Sequence, residues 1–215
     1  MNSLYPFEQA IVRHGAETLA GLKPASLLCW TTRSVAIEEI LAYGRREFER
    51  FDVRFFLLGK CGNAHRILIY RTRLLAKRLV CPDVSLALHN LGYCYDRPNN
   101  QVRATANSTC ALYGEAKKDL VTWLLLQLQE RICLSPSLPD EIGLFLGYPV
   151  EDVLRFMQDH GQSAYPLRGS WRVYHHPQQA EATFNTFRAC RQCWLQAMQK
   201  GCSLPQVMDR LSPAV

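Results

Sequence analysis

The chain has 215 residues, of which 48% are apolar and 20% are charged, with 25 Lys and Arg against 19 Asp and Glu. This balance is typical of a folded protein with a hydrophobic core, and it excludes a disordered chain and a fibrous one. No segment reaches the roughly 18 apolar residues of a membrane span, and the N-terminus lacks the basic and apolar regions of a signal peptide. We therefore expect a cytoplasmic protein.

In the first half of the chain, hydrophobic patterning predicts alternating helices and strands. Helices are expected over 10–22 and over 35–50, where Ser34 can act as the N-cap, and strands over 27–30, 53–58 and 66–70. Residues 59–63 contain two glycines, and a connection of this length and composition is typical of a hairpin. At least part of the sheet should therefore be antiparallel.

The second half is predicted to be mostly helical. Helices are expected over 74–79, 82–90, 108–132, 139–146, 149–160 and 177–200, with a helical turn after Ser203, a strand over 171–175 and a polar loop over 96–107. The fold class is then α+β, with a small sheet packed against several helices. We expect a single domain over 1–215, with subdomains 1–134 and 138–215 on either side of the SPSLP linker as the alternative.

Basic residues are concentrated between positions 45 and 78, where ten Lys and Arg oppose three Asp and Glu, a net charge of +7. Such a segment can attract nucleic acid, phosphate or acidic proteins. No aromatic stacking platform for bases interleaves with these charges. A solvated basic surface is therefore the interpretation we favour.

The nine cysteines are an odd number at irregular spacing, which does not indicate the disulfide framework of a secreted protein. The pair Cys190 and Cys193 has the spacing of a metal or redox motif, but it lies in mid-helix and no second pair completes a zinc site. Core packing is favoured for it. The adjacent His175 and His176 point to opposite sides of a strand, and a composite site of His14, Cys61 and one of these histidines is the alternative.

Two further segments have functional and structural interpretations. Gly143, Gly147 and Val153 have the spacing of a helix-turn-helix, but the second helix is acidic, so we expect two packed helices that Gly147 allows to approach rather than a DNA reader. The loop 21–26 contains Lys23 and can bind a phosphate or another anion, although it lacks the spacing of a P-loop. A simple turn is the alternative for this loop.

Several strings occur in an order that resembles a known family. They are TLAGLKPASLL at 18–28, RILIYR at 66–71, LPDEIGLFLGYPVEDV at 138–153, GSWRVY at 169–174 and the cysteine-bearing final helix. Together they resemble a bacterial family, domain of unknown function 3793, over residues of about 14 to 211. The family has no established activity. Its genes are found near ferrous-iron uptake and flavodoxin genes, so the resemblance implies an iron or redox context.

The chain departs from the family pattern at three places that bear on metal binding. Family members often have His-Cys where this chain has His14-Gly15, Pro-His where it has Pro139-Asp140, and a Cys near Leu167-Arg168. The resemblance therefore gives no support to a shared Cys/His metal site.

Three functions are compatible with the sequence. The leading one is a binding or accessory protein whose partner is an anionic ligand or a protein, with a planar anion held by Lys23, Arg71, Trp171, Arg172 and Tyr174. The first alternative is an enzyme with a thiol or metal centre at Cys61, Cys190, Cys193 and His14. The second is a nucleic-acid binder that uses 45–78 or 139–160, and we do not expect nucleic acid as the partner. No cofactor is specified, and enzymatic activity stays open.

Overall fold

The fold combines two small antiparallel sheets with helices, and a computed structural model describes it over residues 4–31, 35–96, 119–135 and 137–212. The strands are β1 (Ala25–Thr31), β2 (Val53–Cys61), β3 (Ala64–Arg71), β4 (Leu167–Arg168) and β5 (Arg172–Val173). The helices are α1 (Tyr5–Leu19), α2 (Ile37–Phe48), α3 (Thr72–Leu79), α4 (Pro82–Asn90), α5 (Leu120–Leu134), α6 (Ile142–Phe145), α7 (Val150–Asp159), α8 (Pro177–Gln199) and α9 (Leu204–Leu211). The predicted α+β class and the helix-rich C-terminal half are confirmed.

The larger sheet has β3 at its centre, with β1 and β2 as antiparallel neighbours. Ile67 of β3 pairs with Leu28 of β1 and with Leu57 of β2. The predicted hairpin joins β2 to β3, and Gly62 makes its turn with φ at +56°. Both faces of β3 are covered, which explains why its residues 67–70 are continuously apolar rather than alternating.

Helices cover both faces of this sheet. α1 and α2 pack on one face, with α8 and α9 outside α1, and the core there includes Trp194 and Met208. On the other face α5 packs against β2, and the core includes residues of α3, α4, α6 and α7, among them Phe145 and Val153. Because each core joins residues from before and after residue 136, we keep the single-domain organisation as our interpretation.

Two helix boundaries differ from the predicted ones for local reasons. α1 begins at Tyr5 rather than at residue 10, because Pro6 is accommodated in the first turn, where no backbone N–H is needed. α5 begins at Leu120, since the Asp119 carboxylate accepts a hydrogen bond from the Thr122 N–H at 2.7 Å and caps the helix. The Ser34 cap, residues 108–118 of the predicted helix and nearly all of the predicted loop 96–107 lie outside the described residues.

The C-terminal elements follow the prediction with shorter spans. The helices expected over 139–146 and 149–160 are α6 and α7. The turn expected after Ser203 is the two-turn helix α9, and Ser203 and Gln206 form a capping box at its start. The strand expected over 171–175 is reduced to the two residues of β5, which pair with β4.

Two helical glycines should respond oppositely to alanine. A Cβ at Gly44 of α2 would lie 2.6 Å from the Phe55 ring of β2, whereas a Cβ at Gly15 of α1 would have its nearest neighbour, Ser26, at 3.5 Å. Gly44→Ala should lower the free energy of unfolding by about 1–3 kcal/mol through overpacking. Gly15→Ala should raise it by about 0.5–1 kcal/mol, because alanine favours the helix. Urea unfolding followed by circular dichroism measures both, and equal effects of the two substitutions would contradict this packing of α2 on β2.

Candidate functional site

The loop between α1 and β1 contains Lys23, the first of the predicted site residues. The chain reverses at Gly21, whose φ of +74° favours glycine. The N–H of Leu22 donates to the carbonyl oxygen of Glu17 at 2.8 Å, and the N–H of Gly21 donates to that of Thr18 at 3.0 Å. These are the two hydrogen bonds of a Schellman motif, and they fix the direction in which Lys23 leaves the helix.

A second loop, between α6 and α7, lies against the first. Gly147 has a φ of +84°, and a Cβ there would be 2.5 Å from Cδ of Pro24, so only glycine allows this contact. The next residue, Tyr148, has its ring centroid 5.3 Å from Nζ of Lys23, which is a cation–π contact. The Arg78 guanidinium of α3 donates to the carbonyl oxygen of Tyr148 and holds this loop from the other side.

The Lys23 ammonium is partly removed from water without a direct counter-ion. Its side chain takes part in no hydrogen bond and no ion pair among the described residues. Burial lowers the pKa of Lys23 to about 8, a shift that the nearby Glu17 opposes and the nearby Arg191 increases. The charged form is therefore retained at pH 7 but is lost in the mildly alkaline range.

The Glu17 carboxylate near Lys23 is already engaged. Glu17 of α1 is buried and forms an ion pair with the Arg191 guanidinium of α8. The Nε of Arg191 is buried and has no acceptor among the described residues. The Cys190 thiol beside it donates to the carbonyl oxygen of Ala16 at 3.7 Å, and burial together with the Glu17 charge raises its pKa to about 11. Lys23 and Arg191 are thus two cations near the one Glu17 carboxylate, and the neighbouring Cys190 thiol stays protonated at neutral pH.

Aromatic rings extend from Lys23 along the surface. The Tyr148 ring lies 5.2 Å from the Trp171 ring, and Trp171 makes an edge contact with Phe184 of α8 at 4.5 Å. The indole N–H of Trp171 donates to the Asp152 carboxylate at 2.8 Å. All three rings are half-buried, so they leave aromatic surface next to the Lys23 ammonium. We call Glu17, Lys23, Tyr148, Trp171 and Arg191 the junction site.

Asp152 of α7 fixes the segment that contains Trp171. Its carboxylate is 2% exposed and also accepts hydrogen bonds from the backbone N–H groups of Tyr174 and His175, both at 2.9 Å, while Nδ1 of His175 lies 3.1 Å away. These N–H groups are unavailable for strand pairing, which explains why the predicted strand over 171–175 ends at Val173.

The five residues predicted to hold a planar anion fall into separate environments. Lys23 and Trp171 are brought together through Tyr148. The Arg172 guanidinium lies instead between the rings of Phe156 and Tyr165, and it donates to a carbonyl oxygen of the α7 C-terminus. Tyr174 lies near Tyr165 on the same side, with its hydroxyl buried and unpaired among the described residues.

The backbone of Arg71 lies next to the loop that contains Lys23, but its side chain is directed elsewhere. Its backbone N–H donates to the carbonyl oxygen of Pro24 at 2.9 Å. Its guanidinium donates to the carbonyl oxygens of Thr18, Leu19 and Phe51 and to the Ser212 hydroxyl. Burial lowers the pKa of Arg71, and its donors are used inside the protein, where they close the end of α1.

The predicted metal or thiol residues lie apart. Cys61 is exposed beside the β2–β3 turn, and His14 is exposed on α1. Cys190 packs under the junction site, whereas Cys193, one turn further along α8, is exposed. Among the residues that the structure describes, no three or more His, Cys, Asp or Glu side chains are grouped so as to hold a metal ion.

Parts of the two segments considered for nucleic acid are engaged in contacts within the protein. In the basic segment 45–78, the side chains of Arg71 and Arg78 bind carbonyl oxygens internally, and those of Arg50 and Arg54 form ion pairs. In the helix pair, Gly143 and not Gly147 allows α6 and α7 to approach, because a Cβ at Gly143 would lie 2.8 Å from Val153.

The junction site contains residues that the sequence did not single out as ligands. Glu17 and Arg191 are 174 positions apart and meet only because α8 packs on α1. Tyr148 is part of the string that carries the family resemblance, which was the one available signal for it.

The chain belongs to the family described as protein of unknown function (DUF3793), whose profile matches residues 11–208. This confirms the resemblance stated from the sequence. Searches among curated proteins and among solved structures gave no match. No helix of the described residues is long and apolar enough to cross a membrane.

Removal of the Asp152 carboxylate should destabilise the protein strongly. Asp152→Ala would leave the Trp171 indole N–H and two backbone N–H groups without their acceptor, which should lower the free energy of unfolding by about 2–4 kcal/mol. Asp140→Ala is the matched control, since the exposed His160 ring is the one partner of its carboxylate among the described residues, and this substitution should cost less than about 1 kcal/mol. Urea unfolding of both variants tests this, and equal stability would contradict the role assigned to Asp152.

Proposed function

We propose that this member of the family of unknown function is a binding protein for a small planar anion, which it holds at the junction site. The negative group of the ligand would contact the Lys23 ammonium and Nε of Arg191. Its planar part would lie along Tyr148 and Trp171. The proposal retains two of the five residues predicted from the sequence, Lys23 and Trp171.

The observation that supports it is the charge balance around Glu17. Lys23 and Arg191 supply two positive charges, and Glu17 supplies one negative charge that is already bound to Arg191. A partly buried ammonium and a buried guanidinium N–H that lack acceptors are costly, unless an anion supplies those acceptors. A ligand with one negative charge would neutralise the site.

The aromatic rings favour a planar ligand rather than a spherical ion. Tyr148 and Trp171 are held at a ring separation of 5.2 Å, the first by Arg78 and the second by Asp152. These fixed, half-exposed rings, whose planes are tilted by 30°, offer aromatic contacts beside the cations. An aromatic carboxylate combines both features, so benzoate is a suitable probe.

Other parts of the interpretation stay predictions. A bacterial origin and an iron or redox context follow only from the resemblance, and a cytoplasmic location follows only from the sequence. Whether the bound anion is also transformed is left open by the proposal, because a lysine that loses its proton near pH 8 can serve either in binding or as a base.

Binding is tested with three probes of graded chemistry. Benzoate is planar and charged, benzamide is planar and neutral, and acetate is charged without a ring. We expect benzoate to bind more tightly than both others, and to shift the indole N–H resonance of Trp171, assigned with Trp171→Phe, in a ¹⁵N-resolved titration. Equal binding of benzamide and benzoate, or no shift of the Trp171 resonance, would overturn the proposal.

Lys23→Met should weaken benzoate binding roughly tenfold or more, because a charged hydrogen bond is lost. The variant is expected to fold, since methionine removes a desolvated charge. Lys60→Met removes an exposed lysine and is the matched control, with no expected effect on benzoate. Calorimetric titration of the three proteins measures the dissociation constants, and an unchanged constant in Lys23→Met would contradict the assignment of Lys23.

Benzoate affinity should fall as the pH rises through about 8. Benzoate stays ionised over this range, whereas Lys23 loses its proton there. If only the charged form binds, the apparent dissociation constant should increase about tenfold between pH 7 and pH 9. Calorimetric titrations at pH 7 and pH 9 measure this change. The residual benzoate binding of Lys23→Met should not depend on pH in this range.

A further inference from the structure

The cleft between α8 and α9 contains a second set of reactive groups, separate from the junction site. Its volume is about 210 Å³, and Cys193, Lys200, Cys202 and Arg210 are among the residues that line it. Val207 and Leu211 supply an apolar wall, and no acidic residue is among the described residues that line the cleft. Two thiols and two cations therefore face the same open space.

The Cys202 thiol is in direct contact with a cation. A guanidinium nitrogen of Arg210 donates to Sγ of Cys202 at 3.4 Å. By contrast, the pKa of the Cys190 thiol is raised to about 11, and the pKa values of Cys29 and Cys81 are also raised, the first by burial and the second by its hydrogen bond with Asp83. Cys193 is exposed to solvent.

We propose that this cleft is a thiol–disulfide exchange site for a small anionic disulfide, with Cys202 as the attacking thiol and Cys193 as the second thiol. Lys200 and Arg210 attract the negative charges of the disulfide, and the Arg210 guanidinium supports negative charge on the Cys202 sulfur. This inference does not rest on the ligand proposed for the junction site.

The exchange proceeds in two balanced steps. The Cys202 thiolate, after its proton passes to solvent, attacks one sulfur of the small disulfide, so that a mixed disulfide forms and one half leaves as a thiolate that takes up a proton. Cys193 then loses its proton to solvent and attacks the Cys202 sulfur, which forms the Cys193–Cys202 disulfide and releases the other half as a thiol. The protein dithiol is oxidised by two electrons, and the small disulfide is reduced to two thiols.

The test uses the fully reduced, full-length protein with oxidised glutathione as the anionic probe, followed by peptide mapping. We expect a cross-link between Cys193 and Cys202 in the wild type, and glutathione that accumulates on Cys202 in Cys193→Ser. The exposed Cys94, whose thiol donates to a backbone carbonyl oxygen, is the internal reference for an unassisted thiol. Failure of the cross-link in the wild type, or of glutathione to accumulate in Cys193→Ser, would overturn the proposal.

Charge variants separate the cleft from general thiol reactivity. Arg210→Gln should slow the reaction of Cys202 with oxidised glutathione about tenfold, as expected for the loss of one charged hydrogen bond. It should slow the reaction with cystamine, a cationic disulfide, less than that with glutathione. Arg188→Gln changes an exposed arginine of α8 outside the cleft and is the matched control. Equal rates for Arg210→Gln and wild type, or a Cys202 rate no higher than that of Cys94, would contradict the assigned role of Arg210.

Discussion

Two cations that share one buried carboxylate are the interaction around which the junction site is organised. Glu17 forms an ion pair with Arg191, and Lys23 lies over the Tyr148 ring without a direct counter-ion. This arrangement lowers the stability of the folded protein, because partial burial penalises the charge of Lys23, which has no direct partner to neutralise it. The surrounding fold holds Lys23 in place through backbone and ring contacts, and this is why we assign the imbalance to ligand binding.

The geometry of the junction site depends on residues that would not contact the proposed ligand. Gly147 lets the α6–α7 loop approach Pro24, Arg78 holds the carbonyl oxygen of Tyr148, and Asp152 holds the indole of Trp171. The first two act on the α6–α7 loop and the third acts on the segment that contains Trp171, so each aromatic ring is fixed from outside the site. α8 adds Arg191 on one part of its surface and Cys193 on another, so the same helix contributes to the junction site and to the thiol cleft.

Much of the fold could be predicted because its signals are local. The continuous apolar run of β3 and Gly62 of the β2–β3 turn indicate a buried hairpin from the sequence alone. The shortened strand at Val173 could not be predicted, since the group that ends it, Asp152, lies some twenty residues earlier and shows itself only through tertiary hydrogen bonds. Charge patterning near position 152 indicates only an acidic helix.

The site could be predicted only in part, for a similar reason. Lys23 and Arg71 are both basic residues in motif strings, and only the fold distinguishes them, because four acceptors inside the protein surround the Arg71 guanidinium. Glu17 and Arg191 are 174 positions apart, so no local sequence pattern indicates that they form an ion pair. Glycine spacing that is typical of a helix-turn-helix has a packing origin here, at Gly143 against Val153.

The central claim is that Lys23 lies in a partly desolvated position without a counter-ion of its own. The most direct test is a pH titration of the Lys23 ammonium by NMR in protein labelled at lysine, with its resonance assigned by comparison with Lys23→Met. The account predicts a midpoint near pH 8 in the free protein and a higher midpoint when benzoate is bound, because an adjacent anion stabilises the charged form. A midpoint at the ordinary lysine value of 10.5, unaffected by benzoate, would contradict it.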